Sequence, residues 1–137
     1  MCEGLRDFNY GRWTGIADQE VAKKWPDEHA QWTIAPHMLR PPDGDTLAEV
    51  SARAMAAIEE IIARHDGQTI GLFAHRVVNK LLVLGMLGLG LERFGFIRQD
   101  NGCIDEFQCV EDGYVVIRLN DVSHIRDGDV DLLQADF

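Results

Sequence analysis

Apolar residues recur at helical spacing after Thr46 and predict the longest helix of the chain. They share one face of a helix that runs to about Arg64, and they are Leu47, Val50, Ala54, Ile58, Ile61 and Ile62. Thr46 and Glu49 together form a capping-box pattern, which marks the start of this helix. Gly67 then ends it.

Two shorter helices are predicted before and after the long one. The first covers Ile16 to Trp25 and stops at Pro26, because proline lacks the backbone N–H that a helix interior needs. The second covers roughly Val77 to Leu87. Thr33 to Thr46 holds three prolines and an Asp-Gly-Asp run, so it is predicted as a long loop. Leu5 to Gly15 is rich in aromatic residues but has no regular period, and it is predicted as an ordered loop.

Three segments have the pattern of β-strands. Thr69 to Ala74 is a continuous apolar run, as expected for a strand that is buried on both faces. Ile104 to Val110 and Tyr114 to Leu119 predict a hairpin, since Asp112-Gly113 between them is a typical hairpin turn. The order helix, strand, helix, hairpin predicts an α/β domain with helices packed on a sheet.

Length and charge narrow the classes of function. The 137 residues, with 46% hydrophobic and 26% charged residues, suit a single soluble domain. The formal net charge of −10 repels phosphodiester backbones and anionic membrane surfaces. The apolar stretch Val77 to Leu91 is interrupted by polar residues and is too short for a membrane span, and Met1 to Arg12 has no apolar run of the kind expected in a secretory signal. We therefore expect no nucleic-acid partner and no membrane association.

The cysteines and histidines show no metal-binding pattern. Cys2, Cys103 and Cys109 are an odd number without metal-ligand spacing, which argues against a disulfide framework and a structural zinc site. We expect a reducing cytoplasm, no metal and no cofactor. The acidic residues after Arg126 have the spacing that begins a calcium loop, but Leu132 replaces its glycine, so a solvated tail is expected.

His75 is the first candidate for chemistry, because it directly follows the predicted strand Thr69 to Ala74. Ligands of open α/β sheets bind at the carboxyl ends of the strands. Arg76 opens the next helix, whose N-terminal N–H groups and dipole favour an anion. His75 and Arg76 thus predict a site for a phosphate or carboxylate group. A histidine that only satisfies hydrogen bonds at a strand end is the alternative, and position alone leaves both open.

Asp7 is the second candidate, since it lies in a loop crowded with Phe8, Tyr10 and Trp13. Partial desolvation by these aromatic rings would favour the protonated carboxyl that a general acid needs. A solvated loop carboxylate without a catalytic role is the alternative reading of Asp7.

Several segments match motifs that occur together in one family. They are Leu5 to Gly15, similar to L-x-[ED]-x-x-[FY]-G-x-W-x-G; Pro42 to Thr46 followed by Arg53, similar to a P-x-G-E-S helix start; Phe73 to Lys80, similar to S-H-R-V-V-N-K; and Asn101 and Leu119 to Ile125, similar to N-x-x-I and L-N-D-x-S-H-L. Alanine at position 74 replaces the common serine, and Asp45-Thr46 replaces Glu-Ser. The chain therefore resembles the histidine phosphatase superfamily, also called the phosphoglycerate mutase-like family, over almost its whole length.

The resemblance implies a three-layer α/β fold and an enzyme that hydrolyses or transfers phosphomonoesters through a phosphorylated histidine. By this resemblance Asp7 is the general acid and His75 is the second histidine of the phosphate pocket. The substrate stays open among sugar phosphates, nucleotides and phosphoproteins.

Two motifs of the family are missing from the 137 residues. Members begin with a strand ending in Arg-His-Gly, whose histidine is the nucleophile, and they carry a second arginine in Arg-Ala-x-x-Thr; neither run occurs in the 137 residues. We expect one partial domain over residues 1–137, truncated by roughly the first third of the family fold with its three N-terminal strands. It should be inactive or nearly so, because the covalent route needs an imidazole to accept the phosphoryl group. An anion-binding or assembly module and a fragment of a longer active phosphatase are the alternatives.

The missing strands also imply a partner. Without neighbours, the backbone groups of Thr69 to Ala74 would be unpaired along an apolar edge. Each unsatisfied buried group costs roughly 1–3 kcal/mol, whereas the whole fold is stable by only about 5–15 kcal/mol. The segment would pair with Ile104 to Val110 or Tyr114 to Leu119 in the same chain, or across a two-fold dimer. We favour a homodimer, because it would also cover the apolar faces that the lost strands leave open.

Overall fold

The computed structural model describes residues 2–125, which form α-helices, short 3₁₀ turns and a β-hairpin. The helices are α1 (Asp18–Lys24), α2 (Pro26–Ile34), α3 (Leu47–Arg64) and α4 (Arg76–Met86), and the strands are β1 (Ile104–Val110) and β2 (Gly113–Asp121). The 3₁₀ turns are Glu3–Leu5, Gly11–Trp13, Pro36–Met38 and Leu91–Phe96. No helix in the described range is long and apolar enough to cross a bilayer. The acidic tail considered above as a calcium loop lies outside the described residues.

The long helix α3 begins where the sequence predicts. The Thr46 hydroxyl accepts a hydrogen bond from the Glu49 backbone N–H at 3.2 Å, and the Glu49 carboxylate accepts one from the Thr46 backbone N–H at 2.9 Å. This reciprocal pair satisfies two N–H groups that have no partner inside the helix. The predicted capping box is confirmed, and α3 ends at Arg64 as expected.

The main core lies between α3 and α4, which pack against each other along their apolar faces. Buried residues of both helices form it, among them Val50, Ala54, Ile58, Val78, Leu81 and Leu84. Leu5 and Phe8 from the opening segment are buried in the same core. The Phe8 ring also lies 4.8 Å from the Tyr10 ring and 5.5 Å from the Trp32 ring, measured between centroids. Apolar packing therefore fixes the opening segment against the two helices.

Pro26 begins a helix as well as ending one. The predicted stop after Trp25 is correct, since α1 ends at Lys24, but α2 starts at Pro26 and was not expected. Trp25, with φ −136° and ψ 64°, is the non-helical residue between the two helices. Proline is well suited to the first position of a helix, because the N–H it lacks would have no partner there.

The predicted strand Thr69 to Ala74 is wrong for this polypeptide. The segment has no regular secondary structure, and no strand within residues 2–125 pairs with it. Its apolar side chains are not buried on both faces, since Ile70, Leu72 and Phe73 are 37%, 41% and 97% exposed. A strand needs backbone partners, and residues 69–74 have none among residues 2–125.

The expected sheet is correspondingly reduced. In the described part of the chain it consists of β1 and β2, which pair antiparallel from Val110 and Gly113 at the turn to Ile104 and Asp121. The predicted hairpin is thus confirmed, whereas the alternative in which residues 69–74 pair with one of its strands is wrong. The observed architecture is mixed α/β with a two-stranded sheet rather than a full helix–sheet–helix sandwich.

Candidate active site

Asp7 lies between two anchored neighbours in the opening segment. Leu5 and Phe8 are buried, whereas the Asp7 side chain is about half exposed, at 47%. The Phe8 backbone N–H donates a hydrogen bond of 2.7 Å to Oδ1 of Asp7. One carboxylate oxygen is therefore held by the loop itself, and the other is available for a contact elsewhere.

That contact is with His75. Nδ1 of His75 lies 3.4 Å from Oδ2 of Asp7. His75 has an extended backbone, with φ −97° and ψ 159°, and occupies the position just before α4, where its side chain makes no capping bond. The structure thus brings together the two residues that the sequence singles out, although Asp7 comes before α3 in the chain and His75 comes after it.

The start of α4 adds positive potential next to this pair. Arg76 is the first residue of α4, and the first-turn N–H groups of a helix have no partners inside the helix. The helix dipole adds about half a positive charge at the same end. An imidazole, a carboxylate and a helix N-terminus in one exposed place can hold a small anion and exchange a proton with it.

Tyr10 lies close enough to sense both Asp7 and Arg76. Burial, together with the nearby Asp7 carboxylate, raises the pKa of Tyr10 to about 12, and Arg76 opposes the shift. The phenol therefore stays neutral at physiological pH and keeps its O–H proton.

The motifs assign no role to Arg53, which follows the predicted helix start at Pro42 to Thr46. Its guanidinium reaches from α3 to the opening segment and donates hydrogen bonds to the backbone carbonyls of Gly4, Arg6 and Asp7. Its Nη2 also lies 3.7 Å from Oδ2 of Asp45. Burial lowers the pKa of Arg53, but an arginine remains protonated in proteins. Contacts with backbone carbonyls have no sequence motif, so they can be recognised only in the structure.

Gly4 is required for the close approach of the opening segment to α3. A Cβ at this position would lie 2.5 Å from Cβ of Ala57 and 2.9 Å from the Arg53 carbonyl oxygen. Gly4→Ala is therefore expected to lower the free energy of unfolding by about 1–3 kcal/mol, because α3 or the segment must shift. Urea unfolding followed by circular dichroism measures the change.

Gly95→Ala is the matched control for this substitution. An added Cβ at Gly95 meets no atom within 4 Å, and the stability should change by less than about 1 kcal/mol. If both variants unfold at the same urea concentration, the predicted clash at Gly4 does not exist.

No other histidine in the described range makes an ion pair or hydrogen bond with Asp7 or His75. His29 is paired with Asp18, between Nε2 and Oδ1, at 2.6 Å, which connects α2 to α1. No group of three His, Cys, Asp or Glu side chains in the described range is arranged to hold a metal ion.

Comparison with known proteins identifies the family. The sequence model of the histidine phosphatase superfamily (branch 1) matches residues 1–122. The chain belongs to this superfamily. The resemblance stated from the motifs is therefore confirmed, and these residues form part of a histidine phosphatase fold.

Similar proteins support the assignment and are longer than this chain. Phosphoserine phosphatase 1 from Hydrogenobacter thermophilus is 29% identical over 119 residues, which are 87% of this chain and 56% of that protein. The structure of Bacillus stearothermophilus YhfR superimposes with a TM-score of 0.85 at 28% identity, covering 90% of this chain and 62% of that one. A phosphoserine phosphatase variant from Entamoeba histolytica in complex with phosphoserine matches with a TM-score of 0.77 at 18% identity, over 90% and 62% of the two chains.

The histidine phosphatase chain described here thus spans about 60% of the length of these relatives. The structure places Asp7 and His75 in contact and Arg76 beside them. Their roles as acid and phosphate ligands stay predictions.

Proposed function

We propose that this chain carries the phosphate-binding and proton-donating part of a phosphomonoesterase. The contact of 3.4 Å between Asp7 and His75 at the start of α4 is the observation that carries the proposal. In this proposal, His75 and the first N–H groups of α4 hold the phosphate, and Arg76 adds a further positive charge. Asp7 then protonates the leaving oxygen of the ester.

The division of roles follows from charge. Phosphoryl transfer depends mainly on positioning and on stabilising the charge of the phosphoryl oxygens. A protonated imidazole and a helix N-terminus supply positive charge, whereas a carboxyl group supplies the proton that the leaving alkoxide needs.

We further propose that the 137 residues by themselves turn over phosphomonoesters at a negligible rate. They contain His75 but no Arg-His-Gly run, so no residue in the site corresponds to the nucleophile of the family. A longer protein, or a second polypeptide that supplies this histidine, would be the active form.

Small phosphomonoesters are the proposed substrate class. Two of the similar proteins are named as phosphoserine phosphatases, and one of them is seen with phosphoserine bound. The exposed position of Asp7 and His75 fits a substrate that approaches from solvent. We place this activity in a reducing cytoplasm, because all three cysteines are free thiols.

Phosphate binding tests the site directly. Inorganic phosphate is expected to bind with a Kd of about 1 mM or weaker, and to move the ring signals of His75 in NMR spectra. Binding should strengthen when the His75 imidazole is protonated, because a cationic ring attracts an anion.

His124→Ala is the control for this experiment, since His124 is exposed and lies near the end of the described range. It should bind phosphate like the wild type, whereas His75→Ala should lose the binding. A His75 ring that phosphate does not move at any pH between 5 and 8 would disprove the proposed site.

An assembly role is the second candidate, and the exposed segment 69–74 favours it. Phe73 is 97% exposed, and the backbone beside it has no strand partner within residues 2–125. We propose that in solution this segment is covered by a second copy of the chain, which makes a homodimer.

A further inference from the structure

Arg53 connects the middle of α3 to the backbone on which Asp7 lies. Its Nη1 donates to the carbonyl oxygens of Gly4 at 2.8 Å and Arg6 at 2.7 Å, and its Nη2 donates to that of Asp7 at 2.9 Å. The Arg53 side chain is only 19% exposed, and hydrogen bonds from a charged donor are stronger than those from a neutral one.

Asp45 holds the same segment from the other side of Asp7. The Asp45 backbone N–H donates to the carbonyl of Asn9 at 2.8 Å, and Oδ2 of Asp45 accepts from the Asn9 backbone N–H at 3.2 Å. The same Oδ2 lies 3.7 Å from Nη2 of Arg53. Arg53 and Asp45 therefore fix the chain on both sides of Asp7 and are also paired with each other.

The orientation of the Arg53 guanidinium is determined by these carbonyls. Its Nε is buried and has no hydrogen-bond partner in the described part of the protein. An unpaired buried donor is unfavourable, so the bonds to the three carbonyls must outweigh it. A guanidinium can reach three acceptors at once because its donors form a rigid planar fork, whereas the ammonium of lysine is a single point charge.

We infer that Arg53 is a positioning residue that sets the Asp7 carboxylate against His75. The carbonyl of Asp7 is held by Arg53, and Oδ1 of Asp7 is held by the Phe8 backbone N–H, which leaves Oδ2 directed at Nδ1 of His75. This inference deepens the proposed function and rests on it, because the position of Asp7 matters for catalysis only if Asp7 is the acid.

NMR spectra of the 137-residue chain without phosphate test the inference. Asp7→Asn defines how far the ring signals of His75 move when the carboxylate is lost. Arg53→Gln should move the same signals in the same direction and by most of that displacement. It should also speed the hydrogen exchange of the Phe8 amide roughly tenfold or more, because the loop loses its charge-assisted bonds.

Arg64→Gln is the matched control, since Arg64 lies at the end of the same helix, is exposed and pairs with Glu60. It should leave the signals of His75 and the exchange of Phe8 unchanged. Arg53→Lys keeps the charge and most of the side-chain volume, so it takes the place of Arg53→Gln in this test if Arg53→Gln does not fold. It should restore only part of the wild-type spectrum.

Each alternative result overturns the inference. Wild-type His75 signals in Arg53→Gln would show that Asp7 does not depend on Arg53. Full restoration by Arg53→Lys would show that charge suffices without the fork. Displacements that add in the Asp7→Asn, Arg53→Gln double variant would mean that Arg53 reaches His75 by another route. If phosphate does not move the ring signals of His75 in the wild type, the proposed function is rejected instead. The results for the Arg53 variants would remain valid, because those spectra are recorded without phosphate.

Discussion

The 137-residue chain is expected to hydrolyse p-nitrophenyl phosphate no faster than its own His75→Ala variant. The proposed site holds the Asp7 carboxyl group and the His75 imidazole, but no second histidine lies in contact with them in the described range. In one well-studied hydrolase, loss of the nucleophile lowers kcat by about 10⁶-fold. A loss of that size would bring the turnover of this chain to the background rate.

The assay needs controls that separate the site from contamination. A contaminating phosphatase would give equal rates in the wild type, His75→Ala and His124→Ala, and it would be removed by further purification. Turnover above background that persists in His124→Ala and disappears in His75→Ala would contradict the prediction. It would show that another residue accepts the phosphoryl group or that water attacks it directly.

The parts of the fold that depend on local sequence could be predicted. The start of α3 depends on Thr46 and Glu49, which lie within one helical turn of each other, and both hydrogen bonds are present. The hairpin depends on the turn of Glu111 and Asp112 and on Gly113, which directly follows it as the first residue of β2, and β1 has the predicted bounds. In both cases the residues that determine the element are neighbours in the chain.

The parts that depend on distant partners could not be predicted in the same way. Pro26 is compatible with the end of one helix and the start of the next, and packing decides between the two. The apolar run 69–74 has the composition of a buried strand, but a strand forms only where another strand offers its backbone groups. The motifs indicated Asp7 and His75 separately, whereas their contact and the role of Arg53 follow from the packing of the opening segment on α3.

The exposed segment 69–74 leads to the second prediction, which is that the 137-residue chain forms a dimer. An unpaired extended segment with apolar side chains is a template for pairing with another chain. Full burial of a side chain such as Phe73 contributes about 1.5–3 kcal/mol. A two-fold axis presents each such side chain twice, so a single segment gives a self-complementary surface. In a longer natural protein, residues of the same chain would cover this surface, and the test therefore uses the 137-residue polypeptide.

Analytical ultracentrifugation at micromolar concentration should show a dimer for the wild type and a folded monomer for Phe73→Lys. The lysine places a charge where the apolar contact would form, and such changes at the centre of an interface weaken binding by about 2 kcal/mol or more, roughly thirtyfold in Kd. Phe96→Lys is the matched control, because Phe96 is also strongly exposed, at 78%, but lies in the turn after α4. It should remain a dimer. A wild-type chain that sediments as a monomer and melts cooperatively would contradict the prediction, since it would show that the exposed segment 69–74 does not drive association.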